Sequence, residues 1–474
     1  MSADLPTPEK TWHVGTLVYD RPKLFNVFFW MLWGDFCLNL MDSGVAPNLA
    51  IVQLKKYGAS ATTIGLLTGT AVELMSMIGV AVISTSSDRH RGWLGRRMPY
   101  MLWATPPLAI FLAAMGFAPQ WAEKVQRAMP GLLGGLSAGG LTITVFAFFY
   151  LGYRFFDLFP QSVYYYLWTD VIPHELMGTF ACLFRVFATA GTLLFNLLLL
   201  KHVEDKPGLI CLLAAGLYLV TFLLLCFMVK EGSYPPPEPP PQGTFIERSG
   251  RSIARYIRES YSLAFYWKYY LFTLCFMCGF RPFRDFLLLY GKETLKIDLG
   301  TYGKIMSVRD GVQVGVFFLL GPIVDRFHPL RAGLVGYLLM LAAAVGSMLF
   351  IHGKWSFAIW VIVTFVCVAV YQGATGALGP RLLPKEAYGQ FCSATAFVWH
   401  LGLMILTPVL GMIIDRFGNG AVFAWFASFS IVGIVMMFWM YLDWKRLGGD
   451  ENYRPPLVRE PAPGLDVVVP GEPV

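Results

Sequence analysis

The most informative stretch of the chain is Ser87-Asp88-Arg89-His90-Arg91-Gly92-Trp93-Leu94-Gly95-Arg96-Arg97-Met98-Pro99, called the arginine loop below. It carries four arginines and an aspartate between two long apolar runs, residues 62–84 and 101–117. Because charged side chains avoid hydrocarbon, we expect a short loop at a membrane surface with both flanks in lipid. Two later apolar runs also end in Asp-Arg, at Asp325-Arg326 and at Asp415-Arg416. A charged hinge that recurs at helix ends predicts a membrane protein built from repeats.

The composition supports that interpretation. The chain has 474 residues, of which 56% are hydrophobic and 14% charged, and its mean hydropathy is +0.56. A soluble chain would carry about 25% charged residues. Apolar runs of about 20 residues can cross roughly 30 Å of hydrocarbon. The sequence therefore predicts an all-α membrane protein with twelve spans, at residues 24–50, 61–84, 99–117, 138–171, 179–200, 207–230, 265–290, 302–324, 331–351, 356–380, 391–414 and 421–443.

The distribution of basic residues predicts the orientation. The net charge is +7, but the basic residues are scattered among short loops, so we expect no nucleic-acid partner. More of them fall on the side of the N-terminus than on the other side, which places both termini in the cytoplasm of a cell (inner or plasma) membrane. Cys275 and Cys278 lie inside a span with no second pair, which favours packing over a metal site. We expect a monomer without a cofactor.

A proline-rich segment divides the chain. Residues 235–241 form a stiff extended spacer, and residues 245–262 read as an amphipathic helix on the anionic leaflet. The predicted organisation is a cytoplasmic segment at 1–23, a six-helix half at 24–230, the linker at 231–264, a second six-helix half at 265–443 and a cytoplasmic tail at 444–474.

The two halves also match each other. A shift of 237 residues places Asp88 on Asp325 and Glu73 on Asp310, and brings Gly65 within a residue of Gly303. Two six-helix halves related by a parallel repeat are the plan of the major facilitator fold. The sequence therefore predicts this fold, with the halves in a pseudo-twofold arrangement.

Ionisable side chains inside predicted spans are candidates for function, since each is costly in lipid unless it meets water or a partner. Asp35 and Asp42 are seven residues apart, so an α-helix would place them on one face. Two adjacent sets have a structural alternative, because Arg154 with Asp157, and Arg309 with Asp310, could simply neutralise each other. The remaining candidates are Glu73, Arg185, Arg281, Arg284, Asp285 and His400, of which His400 could also be a packed core residue.

The spacing from Asp88 to Pro99 resembles the loop motif of the glycoside–pentoside–hexuronide cation symporters, a branch of the major facilitators that includes melibiose permease. Gly34-Asp35-Phe36 is similar to the first-helix segment with a sugar-binding aspartate. Tyr153, Asp157 and the later Asp170 match the fourth-helix pattern with a second one. Arg185-Val186-Phe187-Ala188 resembles the fifth-helix segment with a sugar-contacting arginine, and His400 stands where the family has a functional lysine.

The chain departs from this family at informative positions. Ser76 and Val80 replace the aspartates of sodium-coupled members, and Gln161 replaces a tryptophan that stacks on sugar. A lone carboxylate with a histidine can titrate but supplies few hard oxygen ligands. The resemblance therefore implies protons rather than sodium as the coupling ion, with transport without an ion as an alternative.

The expected function is alternating-access transport of a sugar or glycoside, by symport of that small molecule with protons across the bilayer. The predicted substrate-binding residues are Asp35, Asp157, Arg154, Arg185 and Gln161; the predicted ion-coupling residues are Glu73, His400 and Asp42; the predicted gate motif is Asp88, Arg89, Gly95, Arg96, Arg97, Asp325, Arg326, Asp415 and Arg416.

Two alternatives stay open. The branch that the chain resembles includes a lysophospholipid carrier, and the membrane arginines would suit a lysolipid, another amphiphile or an organic anion. The other alternative is a membrane-embedded protein that does not transport. An enzyme is disfavoured, because the chain has no His-Glu-x-x-His motif and no phosphate-cradling glycine loop.

Overall fold

The computed structural model describes residues 11–92, 94–130, 137–234, 256–326, 328–376, 378–384 and 387–456. In these residues the chain forms twelve long helices, which confirms the all-helical fold. They are α1 Arg21–Lys56, α2 Ala61–Asp88, α3 Met98–Met115, α4 Ala138–Val171, α5 His174–His202, α6 Pro207–Met228, α7 Ala264–Leu289, α8 Leu299–Arg326, α9 Pro329–Phe350, α10 Lys354–Thr375, α11 Tyr388–Phe417 and α12 Ala421–Arg446.

Ten of these helices are long and apolar enough to cross a membrane by length and composition alone. The other two, α7 and α8, are as long. They contribute charged side chains to the region between the two halves: Arg281 and Arg284 of α7, and Arg309 and Asp310 of α8.

Helix α4 has the bounds that the sequence predicts, and it continues through Pro160 without a break. The Ser137 hydroxyl caps its start by accepting a bond from the Gly140 N–H at 3.1 Å. At 1.5 Å per residue, its 34 residues give a length of about 51 Å. Because the hydrocarbon layer is roughly 30 Å thick, the helix extends beyond it.

Several smaller elements complete the described chain, including the short helices Leu378–Leu382 and Gly449–Asn452. A hairpin of β1 Trp12–Val14 and β2 Leu17–Tyr19 precedes α1. The sequence predicts a short amphipathic turn at Trp121–Ala128, and the structure has an amphipathic helix at Ala118–Ala128 between α3 and α4. The proline-rich spacer and most of the predicted linker helix lie outside the described residues, although residues 256–261 are helical.

Close helix packing across the two halves follows the internal repeat. A Cβ atom on Gly65 of α2 would lie 2.9 Å from the Pro408 Cα atom of α11, and one on Gly303 of α8 would lie 2.0 Å from the Asn196 carbonyl oxygen of α5. Only glycine allows backbones to approach this closely. The two glycines that the repeat aligns therefore each allow a close backbone contact between the halves.

The two ends of the bundle differ. We call the end that carries the arginine loop the loop end, and the opposite one the far end. At the far end, the Asp415 carboxylate of α11 accepts bonds from the N–H groups of Ala61 and Thr62, at 2.8 and 2.9 Å, and caps α2 of the other half. Lys55 and Glu293 form a second contact between the halves at 3.6 Å. Among the described residues, polar contacts between the halves lie from the middle of the bundle to this end, so the far end is closed.

Candidate functional site

A central cavity separates the two halves and consists of three chambers. Gln372 lines all three, so the chambers adjoin one another. The main chamber, of about 530 Å³, includes Glu73, Arg154, Gln161 and His400 in its wall. The apolar chamber, of about 480 Å³, includes Phe272, Phe276, Met277 and Val314. The polar chamber, of about 230 Å³, includes Asn48, Thr192, Asn196 and Arg309.

A buried carboxylate on α2 joins the two halves across the main chamber. The Glu73 side chain is only 3% exposed, and its Oε1 atom lies 2.9 Å from the Arg281 guanidinium of α7. Its Oε2 atom pairs with Nδ1 of His400 on α11, whose ring stacks on Trp399 with centroids 4.3 Å apart. We call Glu73, Arg281 and His400 the inter-half cluster. Any movement that separates the halves here must break these contacts.

The structure brings together Glu73 and His400, which the sequence nominated as an ion-coupling site. The sequence identifies Arg281 only as a charged residue within a span, and does not predict its place in this cluster. Ser76 and Val80, which occupy the positions of the aspartates in sodium-coupled members, also line the main chamber. A hydroxyl and an alkyl group thus stand where the family resemblance implies metal-ligating carboxylates.

A second cluster lies within the first half. Arg154 of α4 is 2.7 Å from Asp42 of α1 and 3.3 Å from Asp157 on its own helix. The Tyr218 hydroxyl of α6 donates to the other oxygen of Asp157 at 3.2 Å. We call these four residues the N-half cluster. Since all of them belong to one half, its bonds can persist when the halves move apart.

Asp35 and Asp157 do not line any of the three chambers, whereas Asp42, Arg154, Arg185 and Gln161 do. The α-helical part of α1 that carries Asp35 is followed by a π-helical turn at Leu40–Val45, which contains Asp42. Asp42 faces the cavity, while Asp35 is completely buried.

The other membrane arginines differ in their partners. Arg284 pairs with the adjacent Asp285 at 3.0 Å. Arg309 pairs with Asp310, which also accepts a bond at 3.1 Å from Asn196 of the other half. Arg185 of α5 is exposed to both the polar and the apolar chamber and has no ion-pair partner among the described residues. It is therefore available to a ligand.

In the arginine loop, the chief acidic partner is Asp170 at the end of α4. Arg96 donates to both of its carboxylate oxygens at 2.8 and 2.9 Å, and the Arg97 Nε atom lies 2.5 Å from one of them. Asp88, which the sequence nominated, is 53% exposed and lies 3.6 and 3.9 Å from the same two arginines. Asp88 therefore belongs to the network but holds it less tightly than Asp170.

Glu231, directly after α6, holds the start of α3. Its carboxylate accepts bonds from the N–H groups of Arg96, Arg97 and Met98 at 3.0, 2.8 and 2.9 Å. Gly95 has a φ of +105°, and a Cβ atom there would lie 2.6 Å from the Glu231 carboxyl carbon. Gly95 thus permits both the turn and the contact. No pattern in the sequence predicts that Glu231 caps the start of α3.

The remaining residues of the predicted gate motif do not join this network. Asp415 lies at the far end, opposite Asp88, so the two Asp-Arg pairs cannot form one gate. The Arg416 guanidinium lies over the Phe417 ring, 5.5 Å from its centroid. The side chains of Arg89, Asp325 and Arg326 lie outside the part of the structure that is described.

Two helical halves around a charged cavity, closed at one end, define a membrane transporter of the facilitator type. The family model of the Major Facilitator Superfamily matches residues 31–407, and the chain belongs to that superfamily. This family consists of transporters rather than enzymes. No curated protein matches the chain.

Solved structures of the same fold cover nearly the whole chain. A bacterial homologue of the human lysosomal transporter Spinster, inward-facing and unoccupied, is 15% identical with a TM-score of 0.61, covering 90% of this chain and 96% of its own. The xylose transporter XylE from E. coli, inward open, is 14% identical with a TM-score of 0.60, covering 89% and 95%. A bacterial homologue of the iron transporter ferroportin, inward-facing, is 14% identical with a TM-score of 0.60, covering 88% and 99%. At these identities the likeness shows the fold alone.

Proposed function

We propose that the protein is a secondary active transporter that works by alternating access and couples solute movement to protons at the inter-half cluster. The observation that carries this proposal is Glu73, a buried carboxylate of one half held by two basic side chains of the other. Such a cluster favours the conformation in which the halves meet there. Neutralising it favours their separation, which supplies the two states that transport requires.

Protons fit this cluster better than sodium. Protonation of Glu73 would remove the negative charge that attracts Arg281 and His400, and imidazole changes its charge in the physiological range. A sodium ion would need several oxygen ligands, but Ser76 and Val80 supply one hydroxyl between them. The coupling ion is therefore a proton, and Glu73 and His400 carry it.

The proposed substrate is a sugar or glycoside, as the family resemblance implies. The main chamber has a volume within the range of small-molecule sites, and Asp42, Gln161 and Arg154 supply polar groups in its wall. Arg185, which has no ion-pair partner among the described residues, favours a substrate that also carries a carboxylate, because guanidinium binds carboxylates through paired hydrogen bonds. A glycoside of a sugar acid combines both requirements.

A second candidate substrate is an amphiphilic organic anion. Arg185 stands between the polar chamber and the apolar chamber, whose wall contains Phe272, Phe276 and Val314. This arrangement could hold an anionic group at Arg185 and an apolar group beside the aromatic rings. Both candidate substrates carry an anionic group, which is attached to a sugar in the first candidate and to an apolar group in the second.

Uptake into proteoliposomes tests the proposal. The panel contains labelled methyl glucoside, methyl glucuronide, lactose and dodecanoate, each measured with and without an inward proton gradient and against protein-free vesicles. Gradient-stimulated uptake of the glucuronide would support an acidic glycoside, and uptake of dodecanoate alone would favour the amphiphile. Equal uptake with and without the gradient would contradict proton coupling.

A further inference from the structure

Asp35 is a buried acid that the proposed mechanism does not yet use. Its side chain is completely buried in the first helix. The Asn39 side-chain amide donates to Oδ1 at 2.7 Å, and Oδ2 has no hydrogen-bond partner among the described residues. No ion pair to Asp35 exists within the described part of the chain. This separates it from Asp42, Glu73 and Asp157, each of which meets an arginine.

The helices packed around Asp35 offer it a single cation. Helix α5 contributes Arg185, the basic side chain whose charge acts on this carboxylate. Helix α4 contributes Tyr164, whose hydroxyl donates instead to the Met31 carbonyl oxygen, and Tyr165. Helix α6 contains no acidic or basic residue, and on α1 itself the next acid is Asp42. Arg185 faces the cavity without an ion-pair partner in the described residues, so the one available cation is not engaged.

The burial of Asp35 decides its charge in this conformation. An ionised carboxylate without water or a bound cation is strongly disfavoured in a protein interior, so such a group takes up a proton. A neutral Asp35 exerts no strong attraction on Arg185. The guanidinium is then free to point into the cavity, which is where the structure has it.

We propose that Asp35 is a proton-carrying site whose protonation releases Arg185 to bind an anionic group of the substrate. Once the substrate leaves, Asp35 returns its proton to water and pairs with Arg185, which closes the anion site. One proton enters with one negative charge, and both leave on the other side. This inference rests on the proposed transport function, adds a second proton site beside the inter-half cluster, and specifies a carboxylate or phosphate group on the substrate.

Infrared spectroscopy tests the protonation state without any substrate. A protonated carboxyl group gives a carbonyl band that a carboxylate lacks. In the wild-type protein at neutral pH, in a detergent without ester groups, we expect this band, and we expect Asp35→Asn to remove it. Asp42→Asn is the matched control, since Asp42 lies on the same helix but its carboxylate is 2.7 Å from Arg154, and it should leave the band in place. A band that is absent, or that Asp35→Asn leaves unchanged, would overturn the proposal.

Transport then tests the link to Arg185, with methyl glucuronide and dodecanoate as anionic probes and methyl glucoside as a neutral one. Asp35→Asn keeps the site neutral, so we expect it to exchange the transported anion across the membrane at a rate within about threefold of wild type. Its gradient-driven accumulation of the anion should fall clearly below that of wild type, because only the inter-half cluster then carries a proton. Arg185→Gln should lose the anion, whereas Arg185→Lys, which keeps the charge, should restore part of its uptake.

The outcomes separate this inference from the broader proposal. Proton-driven accumulation of the anion in Asp35→Asn that equals that of wild type would refute the Asp35 switch and leave coupling at Glu73 intact. A wild type that moves all three probes without any effect of the gradient would refute proton coupling as a whole. Transport of only the neutral glucoside would refute the anion site while leaving a proton-coupled sugar carrier.

Discussion

The inter-half cluster and the N-half cluster both bury carboxylates against an arginine, but they connect different parts of the molecule. Glu73 reaches from the first half to Arg281 and His400 in the second, whereas Arg154 holds Asp42 and Asp157 within the first half. In the proposed alternating-access cycle, the contact between the halves breaks and the contact within one half can persist. We therefore expect the same chemistry to control movement at the inter-half cluster and stability at the N-half cluster.

The largest effect is expected for Glu73→Gln. The neutral amide leaves Arg281 and His400 without a charged partner, and removal of one member of a buried ion pair costs roughly 3 kcal/mol. That energy corresponds to about 100-fold, so gradient-driven uptake in proteoliposomes should fall by about this factor. Glu123→Gln is the control, since its carboxylate is 69% exposed and pairs only with Arg127 on the same short helix; equal losses in both variants would contradict the role of the cluster.

Arg154→Gln should act on stability before it acts on movement. It leaves Asp42 and Asp157 close together without their shared cation, which again costs about 3 kcal/mol. Because this cluster lies within one half, the cost applies in every conformation of the protein. We expect a lower denaturation midpoint for the purified protein. If the comparison holds, Glu73→Gln shifts this midpoint less than Arg154→Gln does; a larger shift for Glu73→Gln would reverse the two roles.

The cap that Asp415 places on α2 should control how often the far end opens. Hydrogen bonds to a charged acceptor contribute about 1.5 kcal/mol or more, so Asp415→Asn should move the balance about tenfold towards the conformation closed at the loop end. Cys182, an exposed cysteine in the wall of the apolar chamber, reports on this change, and its labelling by a thiol reagent should slow. Asp450→Asn, which removes an exposed pair with Arg331, should leave the labelling rate unchanged; an unaltered rate in Asp415→Asn would refute the cap as a latch.

The smallest effect is expected for Asp88→Asn. Its carboxylate is half exposed and lies at least 3.6 Å from its arginines, and exposed pairs contribute about 0–1 kcal/mol. Asp170→Asn, which removes three close contacts with Arg96 and Arg97, should change Cys182 labelling and the denaturation midpoint more. The reverse order would restore Asp88 as the centre of the loop network.

The sequence predicted the fold well, because apolar periodicity is a local property. The bounds of α4, the amphipathic helix Ala118–Ala128 and the alignment of Gly65 with Gly303 all follow from nearby residues or from the repeat. The site was predicted in part. The sequence names Glu73 and His400 as ion-coupling residues, and the structure pairs them. The contacts of Arg281, Asp170 and Glu231 were not predicted, because they join residues far apart in the chain.

The sequence was least informative about where individual side chains lie. Helical rotation predicts one face for Asp35 and Asp42, yet Asp35 is completely buried and Asp42 lies in the cavity wall. This difference depends on the helices packed against each position rather than on the sequence of α1 alone. The sequence could therefore nominate the charged residues of α1 without deciding which of them meets solvent.

By itself, the sequence determined that this protein is a helical membrane protein built from two repeated halves, since hydrocarbon imposes length and apolarity on every span. It also determined which ionisable groups must find partners, since none can stay alone in lipid. Only the tertiary structure decided the partners. Glu73 pairs with residues of the second half and Arg154 with residues of the first, whereas Asp35 forms no ion pair among the described residues. The reason is that an ion pair depends on a few ångströms of separation, and that distance is set by how twelve helices pack.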